Sequence, residues 1–285
     1  MTSYDPAWLD AQYDARAASP EHPAIFARWS EASADARARL HGEIDLRYGR
    51  GPLQTLDWFP ASDANAPVLV FLHGGYWRGS DKSLYSFLAP AFVRTGATVA
   101  VPNYDLCPSV TIDAIVREIE EALDWIAARA PRASSLVVSG HSAGGHLAAC
   151  MLVRQHPVPY EAGDGRDASG PTPMRAGLGI SGLYDLEPIR QVPFLAADLR
   201  LDGSTAEELS PVKHQPAPGA VFHAFVGGDE SGEFLRQSEQ LMRSWGASVV
   251  PVCERIAGRR HFDVLDALAD PQARVFRSAA ALLFR

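Results

Sequence analysis

Ser142 stands in Gly140-His141-Ser142-Ala143-Gly144, preceded by the apolar run Leu136-Val137-Val138 and followed by the small-residue pattern Gly145-His146-Leu147-Ala148-Ala149. The order predicts a strand, a tight turn and a helix, with the serine at the tip of the turn. Glycine on either side lets strand and helix approach closely. A serine held there points its hydroxyl away from the sheet and begins a helix, whose free N–H groups and positive dipole end favour an oxyanion beside it. The chemistry implied is nucleophilic attack on a carbonyl carbon.

A serine hydroxyl needs a base, and the base needs a third group to orient it. Where the nucleophile sits on a strand-to-helix turn of this kind, the partners follow it in the order serine, acid, histidine. Of the nine histidines, His261 fits: it follows the last expected strand, lies in a loop and opens a helix. His22 and His41 belong to the amino-terminal region, His73 and His141 to turns with other roles, and His146 to the helix behind Ser142. His156, His214 and His223 fall in a loop, at a cap edge and in a strand interior. The acid is sought at the end of the apolar run Ala220–Val226, where Asp229 and Glu230 are adjacent. A carboxylate three residues beyond Gly227 selects Glu230, with Asp229 as the alternative. Asp185, after the preceding strand, is a less favoured position whose ordinary role is a turn or helix cap.

The remaining part of such a site is a set of backbone N–H groups for the negative oxygen of a tetrahedral intermediate. His73-Gly74-Gly75-Tyr76-Trp77 follows the unbroken apolar run Val68–Leu72, and its glycines let the backbone come close. The expected donors are the amides of Gly75, Tyr76 and Ala143. Tyr76, Trp77, Tyr104, Tyr184 and Phe262 are aromatic residues expected near the mouth, able to hold an aryl group or to pack the core. Arg78 and Arg260 are candidates for a substrate carboxylate.

Strands and helices alternate through the chain in a way that positions these residues. After two helical patterns in the first forty residues comes an expected edge hairpin, Ile44 to Tyr48 and Leu53 to Trp58. Strands follow at Val68–Leu72, Thr98–Val101, Leu136–Ser139, Ala176–Ser181, Ala220–Val226 and Ser248–Cys253. Helices are expected at Ser83–Thr95, along the stripe Ile112, Ile115, Val116, Ile119, Leu123 and Ile126, and at Phe234–Trp245. The fold class is α/β: a mainly parallel central sheet with helices on both faces, with ligands bound outside the carboxyl ends of the strands. One domain is expected over residues 1–285, with residues 1–42 a helical amino-terminal segment and residues 183–215 a small cap or crossover. Whether the amino-terminal helices cover the site or only the sheet stays open at this level.

The formal net charge of −8 and the lack of a basic run argue against a nucleic-acid partner. No run of about 18 apolar residues occurs, and the start Met1-Thr2-Ser3-Tyr4-Asp5-Pro6 lacks a basic, then apolar, signal pattern. The expected location is the cytoplasm. Three widely spaced cysteines suit reduced thiols, and no metal-ligand spacing is present, so neither cofactor nor metal is expected. The expected partners are a small-molecule substrate and, at most, a second copy of the chain in a homodimer.

The motif set resembles that of the kynurenine formamidases, or arylformamidases, a family of α/β-hydrolases. His73-Gly74-Gly75-Tyr76-Trp77 matches their His-Gly-Gly-x-Trp oxyanion motif, and Gly140–Gly144 matches their elbow. Further similar stretches are Ser181–Ile189, Glu230-Ser231 with Glu233-Phe234 and Arg236-Gln237-Ser238, and His261-Phe262. The resemblance implies cofactor-free hydrolysis of N-formyl-L-kynurenine to kynurenine and formate. It supports Gly75 and Tyr76 as oxyanion donors and an acid directly before a serine, as Glu230 stands before Ser231. Family members often carry aspartate where Glu230 stands, and bacterial relatives include esterases.

Overall fold

Strands that read as unbroken apolar runs must be covered on both faces, and the central ones are. The structure, a computed structural model, describes residues 4–154, 157–158, 172–173 and 175–285. Its main sheet holds eight strands: β1 (Glu43–Arg47), β2 (Thr55–Phe59), β3 (Val68–Leu72), β4 (Thr98–Pro102), β5 (Leu136–His141), β6 (Ala176–Ile180), β7 (Val221–Gly227) and β8 (Val252–Ile256), in the spatial order β1-β2-β4-β3-β5-β6-β7-β8. The β1 and β2 edge pairs antiparallel, and β2 also lies antiparallel to β4. From β4 to β8 every pairing is parallel, in registers such as Val70 opposite Val138 and Gly140 opposite Gly179.

Successive side chains of β3 alternate between two core layers. Val68, Val70 and Leu72 join a cluster with Ile115, Ile119, Leu123 and Leu147, while Leu69 and Phe71 meet Phe92, Val275, Phe276 and Leu282 on the other side. The first layer is closed by α5 (Ile112–Arg129), whose six predicted apolar positions are all buried, and by α6 (Ala143–Val153). Thr111 caps α5 by accepting the Ala114 N–H at 3.2 Å.

Two predicted elements differ. The helix expected over residues 83–95 is two 3-10 turns, Lys82–Leu84 and Ser86–Leu88, then α4 (Ala89–Arg94). Pro90 lacks an N–H and sits in the first turn of a new helix. Side chains of the amino-terminal helix take over the backbone groups ahead of it: Ser33 Oγ donates to Leu84 O at 2.9 Å and accepts from Phe87 N–H at 3.0 Å. The last strand begins at Val252 rather than Ser248. Pro251 cannot donate to a ladder, and a strand with one neighbour is weakly fixed by its apolar pattern.

The amino-terminal segment forms α1 (Pro6–Tyr13), α2 (Ala15–Ala18) and α3 (His22–Arg39). Ile25 and Trp29 of α3 join the second core layer, with Trp29 Nε1 donating to Asp266 Oδ1 at 2.7 Å. Between β6 and β7 lie three short helices, α7 (Leu186–Ile189), α8 (Pro193–Leu199) and α9 (Gly203–Glu208). After β7 comes α10 (Gly232–Trp245). Most of the Gly-, Pro- and Asp-rich stretch of residues 156–173, the expected loop that begins at His156, lies outside the described residues.

Candidate active site

The chain enters the elbow along β5 and leaves it along α6, and Ser142 sits between them at φ 57°, ψ −120°. A non-glycine residue held at positive φ stores strain that the surrounding structure must maintain. The Ser142 N–H donates to Ile180 O of β6 at 2.8 Å, and α6 begins at the next residue. A Cβ on Gly140 would come within 2.1 Å of Gly144 O, so strand and helix pass too close there for any side chain. Leu72 O and His73 O crowd Gly144 in the same way, which brings the His73-Gly74-Gly75 loop against the elbow.

His261 and Glu230 come from the loops after β8 and β7. His261 Nδ1 lies 2.7 Å from Glu230 Oε2, and their side chains are only 5% and 1% exposed. A carboxylate oxygen accepts, so Nδ1 carries the proton and Nε2 is left free as a base. The other oxygen, Oε1, accepts the Gly227 N–H at 2.6 Å and the Ser181 hydroxyl at 2.5 Å. Asp229 is exposed and engages the fold through its N–H to Arg259 O at 3.0 Å, so the structure brings Glu230 and not Asp229 to the imidazole. Asp185 has the capping role: it accepts the Glu187 N–H at 3.3 Å and pairs with Arg236 at 3.1 Å.

The link between base and nucleophile runs through His141. Its Nε2 donates to the His261 carbonyl at 2.6 Å, and the two rings lie 4.7 Å apart. Burial, together with the neighbouring His261, holds the His141 pKa well below the ordinary histidine value, so it acts as a neutral donor. His261 is thus fixed beside the residue that precedes the nucleophile, with Phe234 and Phe262 at 4.4 and 5.2 Å flanking its ring. Among the described residues Ser142 Oγ has no hydrogen-bond partner. In unliganded sites the nucleophile–base bond is often long and tightens only around substrate.

The expected oxyanion donors share one feature. Among the described residues, the N–H groups of Gly75, Tyr76 and Ala143 have no protein acceptor. Gly75, Tyr76 and Trp77 all have positive φ, at 114°, 52° and 55°. Two consecutive aromatic residues in that region are unusual, and outside contacts hold them: Tyr76 Oη donates to Tyr13 O at 2.6 Å, and Trp77 O accepts the Cys107 N–H at 2.8 Å.

Three of the aromatic residues expected at the mouth are elsewhere. Trp77, Tyr104 and Tyr184 are fully buried and form no open wall. Trp77 packs edge-on to His146, Tyr104 stacks on His73 at 4.2 Å, and Tyr184 packs edge-on to Phe222. Gly179 and Gly182 leave space that the Tyr184 ring fills, which a pattern of residue types does not reveal. Phe262 stays beside His261, edge-on to Phe26 at 4.9 Å. Arg78 is bound to Phe194 O at 2.7 Å and Asp198 at 2.5 Å, so it secures α8 to the oxyanion loop instead of awaiting a carboxylate. Arg260 donates to Ala18 O at 3.2 Å at the rim of the site.

Two contributors were not legible as such. The first is α1–α2, which roofs the site: Ser231 Oγ donates to Gln12 O at 2.6 Å, and Tyr13 Oη to Glu233 Oε2 at 2.6 Å. The cleft left between this segment and Glu230, Phe234, Arg260 and His261 has a volume of about 10 Å³, room for about one water. The amino-terminal segment therefore does both things left open above: α1–α2 cover the site and α3 covers the sheet.

The second is Ser181, fully buried at φ 52° at the end of β6. A serine closing the strand beside the acid's strand was the available signal. A hydrogen bond to a charged group contributes about 1.5–3 kcal/mol. Ser181→Ala is expected to lower kcat about tenfold while leaving the fold in place, as measured by steady-state kinetics beside circular dichroism.

A family model described as the α/β-hydrolase fold matches residues 69–169. The kynurenine formamidase of Danio rerio is 28% identical over 243 residues, covering 82% of this chain and 80% of the relative. A crystal structure of a proposed thioesterase from Silicibacter sp. TM1040 is 31% identical, covers 97% of this chain and 99% of its own, and superposes with a TM-score of 0.82. Esterase B of Lactobacillus rhamnosis, at 18% identity and a TM-score of 0.65 over 95% and 94% of the two chains, shares the fold. Among the described residues no helix is long and apolar enough to cross a membrane. The sheet order, the strained serine at the end of β5 and these likenesses agree: the chain belongs to the α/β-hydrolases and is kynurenine-formamidase-like among them.

Proposed function

We propose that the protein is a serine hydrolase of small aryl formamides, acting in the cytoplasm on N-formylkynurenine to give kynurenine and formate. The observation that carries the reading is the 2.7 Å contact of Glu230 with His261 Nδ1, held against His141, the residue before a strained Ser142. The kynurenine formamidase likeness over most of the chain supports the formamide as substrate.

In this mechanism His261 Nε2 takes the Ser142 hydroxyl proton as Oγ attacks the formyl carbon. Glu230 keeps the ring oriented and stabilises the imidazolium without taking the proton. The amides of Gly75, Tyr76 and Ala143 receive the negative oxygen of the tetrahedral intermediate. Each such donor contributes about 2.7–4 kcal/mol in comparable sites. Collapse breaks the C–N bond, and His261 returns its proton to the departing arylamine. Water, activated by the same imidazole, then attacks the formyl ester on Ser142 and releases formate with Ser142 reprotonated.

The deciding experiment compares purified protein on N-formylkynurenine and on short p-nitrophenyl esters. The expected result is a higher kcat/KM on the formamide. Equal or lower efficiency there makes the protein a carboxylesterase of small acyl esters.

A further inference from the structure

His73 was set aside as a turn residue, yet its surroundings are unusual for a neutral imidazole. Its ring is fully buried between two nearly parallel tyrosine rings, Tyr104 at 4.2 Å and 10° and Tyr85 at 5.9 Å and 9°. Both ring nitrogens face oxygens: Nδ1 lies 2.8 Å from Gly74 O, and Nε2 lies 2.9 Å from Asn103 Oδ1. The Gly74 carbonyl can only accept. The Asn103 amide is oriented by two other partners, since its Nδ2 donates to the Asp81 carboxylate at 2.7 Å and its Oδ1 accepts the Lys82 N–H at 3.2 Å. Turning the amide over would set oxygen against carboxylate and N–H against N–H.

A neutral imidazole has one proton and one lone pair. Either tautomer would therefore leave a nitrogen lone pair against an oxygen lone pair inside the core. The Tyr104 hydroxyl does not relieve this, because its single proton goes to His73 O at 2.7 Å, against 3.2 Å to Nδ1. We propose that His73 is a positioning residue that carries both ring protons, an imidazolium that holds the oxyanion loop by its Gly74 carbonyl. With that carbonyl turned back to the imidazolium, the amides of Gly75 and Tyr76 that follow it are left free for the substrate oxygen.

The charge has compensation on each side. The tyrosine faces attract a cation through their ring quadrupoles. Asp81 supplies negative charge through Asn103, and the Lys82 ammonium turns away to Asp45 and Asp57. Burial works in the opposite direction and lowers the His73 pKa from its ordinary value, while the Gly74 and Asn103 contacts and Asp81 raise it. The lone-pair geometry is what decides for the charged form.

The proposal rests on the serine-hydrolase reading, and its test separates the two. Uniform ¹⁵N-histidine labelling with long-range ¹H–¹⁵N correlation, on the resting protein without substrate, is expected to show two protonated nitrogens for His73 across the pH range of activity. A neutral tautomer in that range overturns the proposal. Reaction of Ser142 with a fluorophosphonate tests the hydrolase reading independently, and its failure would leave the nitrogen signature readable.

The positioning role is read from His73→Gln, a neutral amide unable to donate to both oxygens as the ring does. Its kcat is expected to fall about a hundredfold with KM changed less than about threefold; an unchanged kcat overturns the role. Asp81→Asn, which keeps an oxygen to accept the Ser83 N–H as Asp81 does at 2.8 Å and meets His73 only by way of Asn103, covers the case in which that variant does not fold. Loss of its negative charge disfavours the imidazolium, so the alkaline limb of the kcat profile is expected to move to lower pH. An unmoved alkaline limb overturns the proposal.

Discussion

Ser142→Ala is expected to lower kcat by about 10⁴–10⁶-fold, measured with formylkynurenine or a p-nitrophenyl ester, and to abolish labelling by a fluorophosphonate. Removing Oγ removes the atom that forms the covalent intermediate, so neither His261 nor the free amides can compensate. What persists is the oxyanion loop and substrate binding, which in comparable enzymes retain about 10³–10⁴-fold over water. Ser142 Oγ has no hydrogen-bond partner among the described residues, and the backbone N–H bond of Ser142 to Ile180 O does not depend on the side chain. Stability should therefore be nearly unchanged, and loss of activity without loss of fold is the expected pattern. Failure of the folded wild type to react with the fluorophosphonate would remove the hydrolase mechanism altogether.

Glu230→Gln is expected to cost about 10⁴-fold in kcat, whereas Asp229→Asn should stay within about twofold, in keeping with an exposed substitution. The difference follows from donor and acceptor types. The Gln amide oxygen can still accept from Gly227 N–H and the Ser181 hydroxyl, which now meet Oε1 at 2.6 and 2.5 Å. Its NH₂ would face His261 Nδ1, which must then accept, and the ring proton would move to Nε2, where the base is needed. The fold survives and the tautomer is wrong. Steady-state kinetics of the two variants side by side checks this, and a larger loss in Asp229→Asn would reassign the acid.

The contrast between these adjacent carboxylates shows how far residue order reaches. Glu230 was favoured over Asp229 from its distance to Gly227, and the structure shows why the spacing works: Gly227 N–H and Glu230 Oε1 close a short loop onto each other. Short-range relations of this kind survive in the sequence because few torsions separate the partners. The same holds for the elbow, where Gly140 is needed by its backbone contact with Gly144, four residues on. The five core strands were legible for another reason: buried on both faces, they read as mainly apolar runs, unbroken in Val68–Leu72 and interrupted elsewhere only by Thr98, Ser139, His141 and His223.

The aromatic residues mark the limit. Residue order puts Trp77, Tyr104 and Tyr184 near the mouth by their proximity to motif residues, but all three rings turn into the core, Tyr184 into the space beside Gly179 and Gly182. Which way it turns depends on neighbours distant in the chain, His146, His73 and Phe222.

The order of residues by itself determined a parallel α/β sheet, a serine at the tip of its elbow, a histidine and a carboxylate downstream, and a glycine loop after an apolar strand. Each of these depends on local periodicity or on backbone freedom within a few residues. Only the tertiary structure decided that His141 clamps His261 to the elbow, that Ser181 holds the acid, that α1–α2 roof the site and that His73 lies between two tyrosines with an oxygen at either nitrogen. Most of these contacts join residues from 30 to more than 200 positions apart, and a separation of that size leaves no periodic trace because packing of the whole sheet, not neighbouring torsions, brings the partners together.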